Sequence, residues 1–250
     1  MSEIILNERA WVEAALMQPS LGKHPVETLN RIAKYYNEEG YKKSKIYDLL
    51  GMYILRCDPD ASLVKWHPAI ESCVKYCNKR KLIMIDGVGI TEGELSKINE
   101  FDSLRQKRLL FTLLCLAKYG NALNKDNNNW VNRELKEVFA LANVKIGLRN
   151  QALMINDLWK ADCVGYSKVV DNVNLNVKIV DDNSEQAVYV TDFRNLGYQY
   201  SRLTDDKYIE CQNCGLVIPR ASNRQIYCSV CAVEMNRKDS LERYHSGATA

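Results

Sequence analysis

Four cysteines near the C-terminus constrain this chain more than any other feature in it. They run Cys211-Gln-Asn-Cys214-Gly215, then, after thirteen residues between Cys214 and Cys228, Cys228-Ser-Val-Cys231. Two residues between cysteines let a tight turn aim both thiolates at one point. Gly215 permits the positive φ that such a knuckle needs. The spacer is long enough for a short hairpin that brings the second pair back to the first. Four thiolates so placed form a tetrahedral set for one zinc ion, and four protein ligands leave no position for a reacting water. The expected site is therefore a structural Zn2+ held by Cys211, Cys214, Cys228 and Cys231 in a zinc ribbon. A redox dithiol usually opens a helix in a βαβ unit, which the surrounding pattern lacks. A deaminase site needs a His-x-Glu partner, and none of the three histidines has one.

The remaining cysteines, Cys57, Cys73, Cys77, Cys115 and Cys163, are scattered. Scattered thiols behave as small buried hydrophobes. Cys73 and Cys77 lie one helical turn apart and, with His67, suggest a second metal cluster, but no fourth ligand accompanies them. The N-terminus, MSEIILNERAWVEAAL, has acids where a secretory leader has cations. Reduced thiols and a missing leader imply a cytoplasmic protein. The longest nearly pure apolar stretch, Leu109 to Ala117, is far too short to span a bilayer, so no membrane partner is expected.

Apolar periodicity implies a mainly α fold with small β (α+β). Helices are predicted over residues 3–17, 26–36 after Pro25, 45–57 behind Ser44, and 66–78. Thr91-x-x-Glu94 is a capping box opening a short helix to Glu100. These make a helical N-terminal domain, residues 1–102. From Ser103 the order becomes helix (103–119), polar loop (120–129), helix (130–142), turn (143–147) and helix (148–160). Two strands follow, at 165–170 and 175–180, with Asp171 to Asn174 as the hairpin loop, and a third at 187–191. Helix, helix, helix, hairpin is the order of a winged helix, assigned here to residues 103–205. Residues 206–245 form the zinc ribbon, and 246–250 an unstructured tail.

In a winged helix the third helix can enter a major groove. Here its first turn offers Arg149, Asn150 and Gln151, side chains suited to guanine and adenine edges. Lys145 precedes it, and Lys168 and Lys178 lie on the wing, within reach of phosphates. Between the cysteine pairs Arg220 and Arg224 add cations. Against this stands the net charge of only +3, spread without a basic domain. Strong nonspecific DNA binders usually show a clear excess. Asp126, Glu134 and Lys136 faintly suggest an acidic-x-lysine nuclease core, though those residues belong on a strand. Six tyrosines between Tyr35 and Tyr76 read as packing rather than as a base-stacking platform.

The segment from Arg105 to the last cysteine resembles proteins of bacteriophages and integrated elements of Gram-positive bacteria. The helix LLFTLLCLAKY, the phrase VTDFRNLGYQY (Val190 to Tyr200) and the ending CxxCG…YCxxCA carry the resemblance. It implies a setting rather than an activity. Taken together, the expectation is a non-enzymatic DNA-binding regulator or accessory protein of replication or transcription. The alternatives are an adaptor that binds a protein partner, such as a host enzyme, and a metal-dependent nuclease.

Overall fold

A computed structural model describes residues 4–168 and 174–247, and the chain divides after Asp86 into two compact units. The fold is mainly helical with small antiparallel sheets, as expected. The division lies at 86/87 rather than 102/103, because the segment after Asp86 pairs with strand residues a hundred positions later.

The first unit holds four helices, α1 (Glu8–Met17), α2 (Pro25–Glu38), α3 (Lys43–Cys57) and α4 (Leu63–Tyr76). Pro25 opens α2, where its fixed φ fits and its missing N–H costs nothing. Leu29, Ile32 and Ala33 of α2 meet Ile46, Leu50 and Ile54 of α3, with Ile70 and Cys73 of α4 closing the core. Burying a Leu or Ile side chain stabilises by ~1.5–3 kcal/mol. Two helix starts differ from expectation. Ile4 and Ile5 are not helical; the chain there runs extended against residues 83–85, with Ile85 N–H donating to Leu6 O at 2.9 Å. α3 begins two residues early, so Ser44 sits inside its first turn and Lys42 takes the cap position. Glu8 is buried and accepts from Arg31 Nε, Lys34 Nζ and the Ile83 N–H at 3.0–3.2 Å.

The second unit is built round α6 (Leu104–Leu123), in which residues 108–117 are all buried. A helix apolar on every side belongs in the centre of a core. Before it come strand β1 (Val88–Thr91) and α5 (Glu92–Asn99). The Thr91 capping box is complete: the Thr91 side chain accepts from Glu94 N–H, and the Glu94 carboxylate accepts from Thr91 N–H at 2.8 Å. Glu94 is fully buried, paired with Lys118 at 2.8 Å and accepting from Asp181 N–H. After α6 the expected helix over 130–142 is shorter. Trp130–Val131 form a strand, β2, and α7 covers only Leu135–Leu141. α8 (Leu148–Lys160) lies where the pattern put it. Strands β3 (Val164–Tyr166) and β4 (Leu175–Val177) follow, in a sheet ordered β2-β4-β3. Val169, Val170 and the loop 171–173 lie outside the described residues. The next strand, β5 (Gln186–Val190), does not extend that sheet; it pairs with β1.

The phrase around Asp192 forms a turn and α9 (Leu196–Arg202), packed on α6. Gly197 is obligatory there, since a Cβ would lie 1.8 Å from Ala142 O. The cysteine region follows in the same unit: β6 (Tyr208–Glu210), β7 (Val217–Pro219) and α10 (Ser229–Gly247). α10 runs into the stretch expected to be an unstructured tail; residues 248–250 lie outside the described ones. Arg108 of α6, 8% exposed, reaches across to this region. It donates to Ser201 Oγ at 2.7 Å and to the Tyr208 hydroxyl, between the rings of Tyr198 and Tyr208.

Candidate metal centre and the neighbouring surface

The β6–β7 hairpin carries the first cysteine pair in its turn. Cys211 N–H donates to Leu216 O at 2.9 Å, and Gly215 N–H to Cys211 O at 2.8 Å, with Gly215 at φ 72°. The hairpin thus wraps the first knuckle instead of filling the spacer, as the sequence had suggested. The second pair is not a knuckle either. Cys228 immediately precedes α10 and Cys231 sits in its first turn, so the helix start presents both thiols. A turn and a helix start, not two equal turns, make the site.

The four Sγ atoms all lie within 4.8 Å of one another. A tetrahedral ion with metal–sulfur bonds of about 2.3 Å would set its sulfurs about 3.8 Å apart. Cys214 and Cys228 Sγ are 3.9 Å apart. The cluster can therefore hold one metal ion, with all four donors soft. Cys211, Cys228 and Cys231 are buried and Cys214 is half-buried.

Neighbouring groups already favour thiolate at one ligand. Burial pushes the Cys211 thiol up, but the N–H groups of Cys228, Cys214 and Asn213 outweigh it and bring it down to about 6. The Cys228 N–H lies 3.2 Å from that sulfur. Asn213, within the first pair, donates its side-chain amide to Cys231 Sγ at 3.4 Å. For Cys231 that bond lowers the thiol's pKa, but the crowded sulfurs and burial raise it to about 12. A bound cation would favour thiolate at all four. Two residues outside the pattern hold the hairpin. Arg194 donates to Cys214 O at 2.6 Å while clamped by Asp192, and Asn195 donates to Val217 O at 3.0 Å. Neither role was legible in the residue pattern from Asp192 to Tyr200. The amide of Asn213, lying between two ligands, was the legible signal.

The residues expected to touch DNA fare unequally. Lys145, Arg149 and Asn150 are exposed around the first turn of α8. Gln151 is half-buried and donates to Ile146 O at 3.2 Å, so it caps its own turn. Lys178 is ion-paired with Asp162. Lys168 is exposed at the edge of the described residues. Arg224 is exposed, and Arg220 lines a cleft with Asp205, Asp206 and Lys207, where two acids offset it. The outer face of α8 also carries apolar groups, with Leu148 80%, Leu153 53% and Trp159 47% exposed. Asp126 lies in a 3-10 turn, Glu134 just before α7 and Lys136 inside it, none on a strand. His67 is exposed and faces Tyr47, whereas Cys73 and Cys77 are buried in the helical core. No helix among the described residues is long and apolar enough to cross a membrane. No protein-family model matches the chain, and no curated protein or solved structure matches it either.

Proposed function

We propose that the chain is a non-enzymatic DNA-binding regulator or an accessory protein of replication or transcription, with one structural zinc ion in the cysteine cluster. The observation that carries the reading is the order helix–strand–helix–helix–strand–strand from α6 to β4, with the sheet ordered β2-β4-β3. A winged helix has elements in this order, which supports the reading, and the first turn of α8 is exposed with Lys145, Arg149 and Asn150. In such a fold that turn meets base edges while neighbouring cations meet phosphates. Gln151 and Lys178, engaged within the protein, drop out of the contact set. Zinc is favoured by four sulfur donors at tetrahedral spacing, and its task is to hold the β6–β7 hairpin and α10 together.

The exposed Leu148, Leu153 and Trp159 support a second reading, an adaptor that docks a protein on the same helix. Titration of the zinc-loaded chain with duplex DNA at two salt concentrations separates the two. Phosphate contacts make affinity fall steeply with salt. The DNA reading expects that fall, with a loss of about tenfold for Arg149→Ala, the scale of one base-edge contact. Duplex binding that ignores both salt and Arg149→Ala would sink it and turn attention to α8 as a protein surface.

A further inference from the structure

The near-neutral total charge conceals a local imbalance in the first unit. Residues 41–45 read YKKSK and residues 75–81 read KYCNKRK. These two short segments hold seven cations and no carboxylate. The fold brings them to one end of the α3–α4 pair. Lys43 Nζ donates to Lys75 O at 3.4 Å. Lys75 and Lys79 stand over the Tyr76 ring, 5.4 and 4.4 Å from its centroid. Between them opens a groove of about 730 Å³ whose lining includes Lys43, Tyr47, Glu71, Lys75 and Tyr76.

Among the described residues, three of the unit's other six cations are ion-paired. Arg9 pairs with Glu38 and Glu39, and Arg31 and Lys34 pair with Glu8. Lys42, Lys43 and Lys45, with Lys75, Lys79, Arg80 and Lys81, are all exposed, and among the described residues none is ion-paired. The single carboxylate in the groove, Glu71, lies 3.6 Å from His67. Crowding like charges costs stability, and the lysines in the first turn of α3 also oppose its dipole. Glu71 is the one carboxylate in the lining to set against these seven cations, whereas a polyanion in the groove offsets many of them at once.

We propose that this groove binds single-stranded nucleic acid, with phosphates on the lysines and bases against Tyr47 and Tyr76. A strand of phosphates matches a row of flexible ammonium groups, and aromatic rings beside cations suit unstacked bases of any sequence. A duplex keeps its base faces stacked away from the tyrosines. An acidic protein matches the charge, but lysine is depleted in protein interfaces. The inference stands apart from the reading of α8, which lies in the other unit.

The test is fluorescence anisotropy of the full zinc-loaded chain with a labelled oligothymidylate of about twelve nucleotides, at roughly 50 and 200 mM salt. The triple variant Lys43→Ser, Lys75→Ser, Lys79→Ser should bind at least about tenfold more weakly at low salt. Its slope of log affinity against log salt should be shallower by about 2, at ~0.7 per lost single-strand contact. Tyr76→Ala should weaken binding about tenfold without changing the slope. Arg149→Ala should leave single-strand binding unchanged, so failure of the α8 reading and failure of this one are separable. All these side chains are on the surface, and Lys42→Ser with Lys81→Ser is a second variant should the first melt early. Wild-type affinity in both lysine variants overturns the proposal. So does an abasic strand of equal length that binds as tightly as oligothymidylate, or polyglutamate that outcompetes the strand at equal charge.

Discussion

The helical unit and the cysteine lobe are held together by different physics. In the first unit the centre is a contiguous apolar cluster, from Val12 to Cys77, that excludes water. In the lobe the buried cluster is Cys211, Cys228 and Cys231, with Leu216, Ile218 and Tyr227 only partly covered. So little apolar surface is buried there that the four thiols, with a metal ion bound, would take over much of the role that burial plays in the first unit. α10 shows the consequence, for over residues 232–244 nearly all the side chains face solvent. The same chain thus contains one region sensitive to cavities and one sensitive to ligands.

The comparison can be broken most forcefully at the metal. Chelation, or Cys228→Ser, should release amide protection across residues 208–231 and loosen α10 while the first unit stays protected in hydrogen exchange. Structural zinc supplies ~10–16 kcal/mol in small peptides, so this is the largest effect expected. Protection that persists in the metal-free lobe would show that packing alone suffices. Next, Leu50→Ala should destabilise the first unit by about 3 kcal/mol in denaturant melts, through a cavity, and leave metal content unchanged. A third change sharpens the comparison from the lobe side. Asn213→Ala removes the amide from Cys231 Sγ and should weaken metal affinity by about tenfold in a competition titration. Thr91→Ala, which deletes half of the capping box, should cost about 1 kcal/mol in the second unit and nothing in the lobe's metal affinity. Last, burial pushes the Cys73 thiol up to about 11 and raises Cys115 further. Both stay protonated at pH 8, and mass spectrometry should find neither alkylated by iodoacetamide in the folded chain.

What the sequence revealed follows from how local each signal is. α8 has strong helical periodicity and short turns at both ends, and it lies at 148–160 as read. The capping box needs only Thr91 and Glu94, four residues of information. The cysteine pairs were legible for the same reason. The elements that escaped are defined by distant partners. β1 is four residues long with a glycine inside, and only β5, far along the chain, makes it a strand. β2 is two residues whose apolar side chains fit a helical pattern equally well, until Val131 pairs with Leu175. Ile4 and Ile5 fit the period of α1, yet the returning chain at Ile83 and Ile85 recruits that segment. α10 lacks an apolar stripe facing any core, so periodicity could not announce it. The near-neutral total charge hid two basic segments of the first unit that only the α3–α4 packing brings together.

The β1–β5 ribbon also sets an order of events during synthesis. Val88 pairs with Val190, so β1 leaves the ribosome about a hundred residues before its partner exists, which at 5–20 residues per second is roughly 5–20 s. The first unit, complete at Asp86, can fold in that interval. The second cannot close until β5 and α9 emerge, and for that time β1 is an unpaired edge and α6 lacks the cover that α9 provides. Chaperone demand for this protein is therefore expected in a defined window of translation, between the exit of α6 and the exit of α9. A stop codon placed after residue 185 should yield a soluble first unit attached to an aggregating remainder.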